Sequence, residues 1–514
     1  MPTPPITPRG PLAAPLLGLA AVALLPACGE EFLDRAPLNA YTLSNFYENE
    51  FQVTQAVNAL YPSIRGDYTG ELWQLGELRS DNTTFQLNAA DRGALRTEEI
   101  DYFLSNAAMA PANNLWNGAY AAISRANLVL ATIDEADFGG DDELRGRREA
   151  EARFARAFMY WQLTRNFGDV VLLLEPEFDE AALLALDRVP VARVYDEAIL
   201  PDLALAIDGL PAAWPTTETG RATRGAAQML LAKAHFARGD FAAALPALEA
   251  IVGEGQYALF PDYRGLFAPE NENNEEIIFA GEFAVAAGQG ASWMINWVPL
   301  GTGNELTGGD SAPAVGPRAG FNLPTRSLVD AYPPGDRRFA ASIGIYATPA
   351  GDTVYYNRKF LFPPLPADTD FPIFRYAEVL LMLAEARLET SGQVPDDGIE
   401  AVNLVRARAG LPFVFPGNPD PDLDVSTAEQ FRGVLRRERR LELALEHKRW
   451  YDLLRYDATG AIDLEAFMRA HGDEQRAEQP FLDGLPEAYR DIPRLYPIPD
   501  QQVAQYGYTQ NPGY

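Results

Sequence analysis

The chain has 514 residues, 47% hydrophobic and 22% charged, which is the balance of a folded protein with a large core rather than of a disordered one. The net charge of −30 repels nucleic-acid phosphates and anionic membrane surfaces, so nucleic-acid binding is excluded. Cys28 is the only cysteine and the three histidines are scattered. Disulfides within the chain, cysteine-rich or histidine-rich metal sites and a cofactor are therefore not expected.

The first thirty residues have the pattern of an export signal. An apolar run over residues 15–25 follows Arg9, the only charged residue before Cys28. The run is shorter than the roughly 20 apolar residues that a membrane span needs. It ends in Leu25-Pro26-Ala27-Cys28, which resembles the bacterial lipoprotein box. We therefore predict a signal peptide over residues 1–27 and lipidation of Cys28, with acyl chains such as palmitate.

Residues 28–41 are predicted to be a lipidated tether. Glu30 and Glu31 follow Cys28 directly and resemble the export tag of surface lipoproteins in Bacteroidetes. Each buried methylene of an acyl chain contributes about 0.8 kcal/mol, so a multiply acylated cysteine holds a protein firmly. The expected location is the outer membrane, with the protein body facing the cell exterior.

Residues 42–260 are predicted to be mainly helical. Apolar residues recur at helical spacing over residues 42–61, 114–133, 144–167 and 191–210. Residues 225–245 are rich in alanine, which allows two helices to approach closely, and Gly239-Asp240 supplies a turn between them. This is the pattern of a tetratricopeptide-like helical hairpin. Pro246 is compatible with the second helix only in its first turn or at a kink.

The pattern changes over residues 261–370, where glycine and proline become frequent and the helical periodicity fades. Long irregular stretches inside folded proteins commonly carry function, and this one contains Trp293 and Trp297. We predict that residues 261–370 form a loop-rich ligand-binding region.

Helices are predicted again over residues 371–514. A buried stripe is expected to start at Phe374, in a helix beginning near Pro372, and a second helix is expected over residues 426–455. Ser426 and Glu429 have the spacing of a capping box at its start. The proline-rich end is predicted to wrap around the body, and the fold class is mainly α.

Sugar rings stack on aromatic side chains and their hydroxyls bond to amide and acidic groups. Two stretches combine these residue types, and the candidate ligand-binding residues are Trp73, Asp81, Asn82, Phe85, Trp293, Asn296, Trp297 and Asn304. The alternative is that the three tryptophans belong to the core beneath the loops.

Catalysis is not expected. Glu438, Glu442 and Glu446 are four residues apart and would share one face of a helix, whereas a glycosidase places two carboxylates about 5 to 9.5 Å apart on opposite sides of its substrate. Arginines are abundant nearby in the sequence, so buried ion pairs that fix the helices explain these glutamates more simply. Phosphate-binding loops, serine-hydrolase elbows and zinc-protease motifs are missing from the sequence.

Several blocks together resemble the SusD/RagB family, in the family's own order. They are residues 31–34 behind Cys28, residues 156–163 with 167–170, residues 374–386, residues 403–411, residues 438–446 with 449–455, residues 497–499 and residues 511–514. Val171 stands where the family usually has a proline.

The resemblance implies an α-helical scaffold with tetratricopeptide-like hairpins and a loop-rich face that carries the ligand site. It also implies a SusC-type TonB-dependent transporter as the partner. The expected function is non-catalytic capture of an oligosaccharide or polysaccharide at the cell surface. Capture of peptides for the same kind of transporter, or a helical scaffold without a small ligand, are the alternatives.

Overall fold

Helices dominate the architecture, which confirms the prediction of a mainly α fold. The computed structural model describes residues 46–87, 95–308, 319–348 and 351–514. The predicted signal peptide, Cys28 and the tether to residue 41 lie outside the described residues. None of the helices in the described ranges combines the length and apolar character of a membrane span.

The α-helices are named here in chain order. They are α1 (Glu50–Asn58), α2 (Tyr61–Gly66), α3 (Leu95–Asp101), α4 (Ala110–Thr132), α5 (Asp142–Phe167), α6 (Glu180–Leu184), α7 (Val191–Val194), α8 (Leu200–Gly209), α9 (Arg224–Ala237), α10 (Phe241–Gly253), α11 (Arg326–Ala331), α12 (Arg337–Ser342), α13 (Tyr376–Ser391), α14 (Asp396–Ala409), α15 (Ala428–Glu442), α16 (Arg449–Ala458), α17 (Leu464–Glu478) and α18 (Asp500–Tyr506). A π-helical stretch over Tyr195–Ile199 joins α7 to α8, so the helix predicted over residues 191–210 is continuous.

Short strands pair in twos and are all antiparallel. They are β1 (Thr83–Thr84) with β5 (Leu323–Pro324), β2 (Val170–Val171) with β3 (Arg188–Val189), β4 (Ile277–Gly281) with β8 (Phe371–Arg375), and β6 (Ile343–Ala347) with β7 (Thr353–Asn357). The β4–β8 pair ties the start of the loop-rich region to the start of the C-terminal helices.

The helices stack on their neighbours in succession. Helix α4 packs on α5, α5 on α8, α8 on α9, α9 on α10, α10 on α13 and α13 on α14. The predicted hairpin is confirmed: α9 ends at Ala237, Gly239 adopts a φ of +69°, and Asp240 caps α10 by accepting a hydrogen bond from the Ala243 amide at 3.2 Å. Pro246 lies inside α10 rather than in its first turn.

Three predictions about the C-terminal helices are wrong. Residues 371–375 are strand β8, because their backbone pairs with β4, and the helix begins only at Tyr376. The capping box is formed by Thr427 and Gln430, while Ser426 donates its hydroxyl hydrogen to Asp424. The helix predicted over residues 426–455 is interrupted after Glu442, where residues 443–448 turn the chain and Leu445 and His447 adopt positive φ.

Residues 47–514 form one compact unit. The boundaries predicted near residues 260 and 370 do not separate compact units in the structure and remain predictions about the sequence. The aromatic core crosses both of them, since Phe158 of α5 lies 6.4 Å from Phe279 of β4 and 6.1 Å from Phe374 of β8, measured between ring centroids.

Buried ion pairs also cross these boundaries, as predicted for the glutamates of the C-terminal helices. Arg375 donates to Glu276 at 2.8 Å, to Glu442 at 2.6 Å and to Glu446 at 2.7 Å. Glu438 pairs with Arg406 at 2.9 Å. The four carboxylates are buried and fully engaged inside the protein.

Candidate functional site

The first predicted stretch lies in the interior. The Asp81 carboxylate accepts two hydrogen bonds from Arg449, at 2.7 and 3.0 Å, and lies 2.9 Å from Arg440. Burial alone raises the pKa of Asp81, but the two guanidinium groups hold it well below its usual range. Asn82 donates to Glu77 at 2.9 Å and accepts from Arg440 at 2.9 Å. The polar groups of both side chains are therefore engaged in hydrogen bonds and ion pairs inside the protein.

Three of the predicted aromatic residues are also buried. Trp73 is 7% exposed, Phe85 4% and Trp297 1%. Trp73 stacks on Phe321 at 5.8 Å between ring centroids and meets Trp297 edge-on at 6.1 Å. These rings, together with Asp81 and Asn82, are engaged in apolar packing and internal ion pairs and expose little surface in this structure. A ligand role for these five residues stays a prediction.

The remaining three predicted residues are half-buried. Trp293 packs on Trp297 at 4.8 Å and on Phe360 at 5.5 Å between ring centroids. Asn296 accepts a backbone hydrogen bond from Phe321, and Asn304 immediately precedes Glu305 at the edge of a surface depression. A ligand role for Trp293, Asn296 and Asn304 stays a prediction.

That depression, called here the Phe362 hollow, has a volume of about 690 Å³ and lies entirely within the predicted loop-rich region. Its apolar wall includes Leu306, Phe362 and the prolines that follow. Tyr356 and Arg358 supply polar groups, and carboxylates come from Glu270, Glu305 and Asp368. An apolar wall beside a few polar groups is the usual composition of a small-molecule site.

Arg264 builds one wall of the hollow and holds the loop that carries Phe362. Its guanidinium donates to the carbonyl oxygens of Arg358 at 2.5 Å, Lys359 at 2.8 Å and Leu361 at 2.7 Å, and it lies 3.7 Å from the centroid of the Phe362 ring. Burial and, to a smaller extent, the nearby positive charge of Arg358 lower the pKa of Arg264 to about 10. Arg264 is therefore charged at neutral pH and acts as a fixed brace.

A second depression adjoins the first. The Arg337 hollow, of about 510 Å³, is lined by Asp262, Arg264, Arg337, Arg358 and neighbouring residues. Arg264 and Arg358 line both hollows. The two hollows are therefore adjacent and share these two arginines.

The arrangement is suited to binding. Arg358 is exposed; its Nη1 donates to the Ala340 carbonyl oxygen at 3.2 Å, which leaves its other N–H groups to donate to hydroxyl oxygens. The carboxylates of Glu270 and Glu305 are exposed acceptors for hydroxyl hydrogens. Among the described side chains, no group of three or more His, Cys, Asp or Glu is placed to hold a metal ion.

The Phe362 hollow lies in the region that the sequence predicts to bind ligand, but its lining residues differ from the predicted ones. The prediction chose the tryptophans, which pack behind Phe360, and passed over Tyr356, Arg358 and Phe362. The signal for them is the run Tyr355-Tyr356-Asn357-Arg358 and the Phe362-Pro363-Pro364 turn, where aromatic and cationic residues stand beside prolines.

Comparisons with known proteins match both ends of the chain. The family described as "SusD family" matches residues 351–514, and the family described as "Starch-binding associating with outer membrane" matches residues 31–236. The chain is 27% identical to SusD-like protein P2 of Formosa agariphila, over 96% of this chain and 98% of the relative. It is 26% identical to a SusD-like protein of Bacteroides ovatus, over 85% of this chain and 82% of the relative.

Solved structures agree. A structure described as a laminarin-binding SusD-like protein superimposes with a TM-score of 0.70 at 26% identity and covers 91% of this chain and 100% of its own. A SusD homolog from Bacteroides thetaiotaomicron has a TM-score of 0.73 at 21% identity, over 95% of this chain and 100% of its own, which shows the shared fold. The order of the sequence blocks, the stacked helices and these matches lead to one conclusion: the chain belongs to the SusD/RagB family.

Proposed function

We propose that this protein binds an oligosaccharide or polysaccharide at the cell surface without cleaving it, and delivers it to a SusC-type TonB-dependent transporter. The observation that carries the proposal is the Phe362 hollow, in which an apolar aromatic wall stands beside an exposed guanidinium and exposed carboxylates. The laminarin-binding relative and the starch-binding family description support a glycan as the ligand.

The chemistry of the hollow matches that of a sugar ring. The apolar face of a sugar packs against Phe362 and the adjoining prolines, because both surfaces shed ordered water on contact. Its equatorial hydroxyls then reach Arg358 and Glu305, which donate and accept hydrogen bonds respectively. The brace formed by Arg264 holds the ring in place before binding, so little conformational freedom is lost.

The size of the site favours an oligomer over a single sugar. Ligand pockets usually measure about 300 to 1,000 Å³, and each of the two hollows falls in that range on its own. A chain of sugars crossing Arg264 and Arg358 occupies both hollows at once. We expect affinity to rise with the number of sugar units until both are filled.

Anchoring through Cys28 in the outer membrane, with the body facing outward, belongs to the same proposal. The lipoprotein box and the family description, which includes association with the outer membrane, support it. The absence of cleavage is likewise proposed: Glu438, Glu442 and Glu446 are engaged in buried ion pairs, so they are not available as an acid and a base.

Peptides are the rival ligand class. Within the part of the chain that the structure describes, strands β6 and β7 pair with each other and with no third strand, and Tyr356 of β7 lines the Phe362 hollow. An open strand edge beside a hollow is one way in which proteins capture extended peptides.

The test is a binding screen of the full-length protein by affinity gels and calorimetry against laminarin, starch and other polysaccharides, and in parallel against peptides. Phe362→Ala and Arg358→Ala are compared with Phe178→Ala and Arg326→Ala, which change exposed residues of the same types outside both hollows. We expect glycan affinity to fall about tenfold in the first pair, a loss of about 1.4 kcal/mol, and to stay unchanged in the second.

Three outcomes contradict the proposal. If the protein binds peptides and no glycan, peptides are its ligand class. If it binds neither, the hypothesis of a helical scaffold without a small ligand is favoured. Release of reducing sugars from a bound glycan by the purified protein contradicts the non-catalytic role.

A further inference from the structure

A separate cavity lies between helices from the N-terminal half of the chain, α5 and α9, and helices from its C-terminal half, α13, α15 and α16. It measures about 310 Å³, and its walls come from α5, α9, α13, α15, α16 and the chain near Arg494. None of its lining residues lines the Phe362 hollow or the Arg337 hollow. Whatever binds there is therefore independent of the proposed glycan site.

The charge of its lining is opposite to that of the protein. The whole chain has 72 acidic and 42 basic residues. The lining of this cavity contains one carboxylate, Asp452, and seven basic residues, which are Arg165, Lys233, Arg238, Arg439, Lys448, Arg455 and Arg494. A concave surface with one sign of charge in a low-dielectric wall concentrates ions of the opposite sign.

Several of these cations share a carboxylate that stands behind the wall. Glu378 is fully buried, does not line the cavity, and pairs with Lys233, with Lys448 at 3.2 Å and with Arg439 at 3.6 Å. The pKa of Lys233 is lowered to about 8, mainly by burial and in part by the positive charges of Lys448 and Arg439, while Glu378 opposes the shift. Arg439 also pairs with Asp452 at 2.9 Å and Lys448 with Glu446 at 3.3 Å. The other cations of the lining apart from Arg165 pair with acidic residues as well: Arg238 with Asp196, Arg455 with Glu385 and Arg494 with Asp457.

Arg165 is held by aromatic rings instead of by a carboxylate. Its guanidinium lies 3.9 Å from the centroid of Trp161 and 3.7 Å from that of Tyr451, and its Nε donates to the Gln162 side chain at 2.7 Å. Arg165 has no salt bridge among the described residues, although its charge opposes the rise that burial causes in the pKa of Asp67. A guanidinium fixed between rings keeps its orientation for a ligand.

We propose that this cavity binds a small organic anion, whose carboxylate meets Arg165 and the neighbouring cations and whose body packs on the rings of Trp161, Tyr195 and Phe236. The volume is at the lower end of the range for small-molecule sites, which admits a molecule of one ring and excludes a polymer. An incoming carboxylate forms charge-assisted hydrogen bonds with Arg165, which has no carboxylate partner of its own among the described residues.

The test uses calorimetry on the full-length protein with sodium benzoate and sodium glucuronate, and glucose as the uncharged comparison. We expect saturable binding of at least one of the two carboxylates, weakening with added salt, and no binding of glucose at this site. Arg165→Gln removes the charge but keeps a side chain between the rings, and is expected to weaken binding about tenfold. Arg326→Gln, at an exposed arginine outside the cavity, is the matched control and is expected to leave binding unchanged.

A second variant keeps the test decisive if Arg165→Gln does not fold. Ala237 is exposed at the end of α9 and lines the cavity, so Ala237→Trp obstructs the cavity without altering its charges. It is expected to abolish carboxylate binding while glycan binding at the loops persists. The proposal is overturned if neither carboxylate binds, if inorganic phosphate alone binds, or if carboxylate binding is retained in a folded form of either variant.

Discussion

At the scale of single residues, the two tryptophans of the loop region, Trp293 and Trp297, pack against Phe360, close in sequence to the lining of the candidate site. Trp297 contacts Trp73, Trp293 and the imidazole of His447, and its ring centroid lies 6.4 Å from that of Phe360. Phe360 is fully buried two residues before Phe362. The position of the candidate binding surface therefore depends on the aromatic packing behind it.

Trp297→Ala is expected to lower the free energy of unfolding by about 3 to 5 kcal/mol, because it removes a fully buried indole and leaves a cavity that its neighbours cannot fill. Chemical denaturation followed by circular dichroism measures the change. Phe178→Ala, at a side chain that is 66% exposed, is the control and should change stability by less than about 0.5 kcal/mol. A Trp297→Ala variant of normal stability that has lost glycan binding would place Trp297 in the binding site itself.

At the scale of elements, the α9–α10 hairpin shows how local sequence sets a turn. Gly239 adopts the left-handed conformation that side chains disfavour, and Asp240 then satisfies the Ala243 amide, which has no partner within the helix. Helix α10 packs on both α9 and α13, so this turn orients a helix that links the N-terminal and C-terminal blocks.

Asp240→Ala should destabilise the protein by about 1 kcal/mol, since it leaves the cap of α10 unfilled, whereas Asp240→Asn keeps an oxygen at the same place and should cost a few tenths. Equilibrium unfolding of both variants tests this. Equal losses in the two variants would mean that the charge of Asp240, and not the cap, supports the helix.

At the scale of the whole molecule, the ion pairs around Arg375 connect β4, β8, α14 and the turn after α15. Burial alone raises the pKa of Glu442, but Arg408, Arg375 and Arg338 together lower it to about 2. The unfolded chain, with an ordinary glutamate pKa near 4.5, binds a proton before the folded protein does. The stabilisation from Glu442 is thus complete above pH 4.5 and is lost as the pH falls towards 2.

We expect the free energy of unfolding to decline over that pH window, and Glu442→Gln to reduce the decline. At pH 7 the variant should be about 3 to 5 kcal/mol less stable, because it leaves buried guanidinium groups without their partner. Urea unfolding at a series of pH values measures both effects, with Glu465→Gln, at an exposed ion pair, as the control. An unchanged acid slope in Glu442→Gln would assign the acid sensitivity to other carboxylates.

Much of the fold was accessible from sequence because its signals are local. Helices α4, α5 and α9 have apolar residues at helical spacing, and Gly168 ends α5 with a φ of +72°, as a glycine permits and other residues resist. The loop-rich character of residues 261–370 is likewise a matter of composition. The block order that resembles the SusD/RagB family is a property of the sequence alone.

The tertiary structure decided the points that depend on distant partners. Residues 371–375 are a strand because β4 lies beside them, and the chain turns after Glu442 where its carboxylate meets Arg375 and Arg408. Trp73 and Trp297 are buried because Phe321 and Phe360 cover them, and Arg358 and Phe362 are presented because Arg264 braces their loop. The sequence by itself determined the helices and the family, since periodicity and capping act between near neighbours. Which aromatic rings face solvent was decided by contacts between residues far apart in the chain.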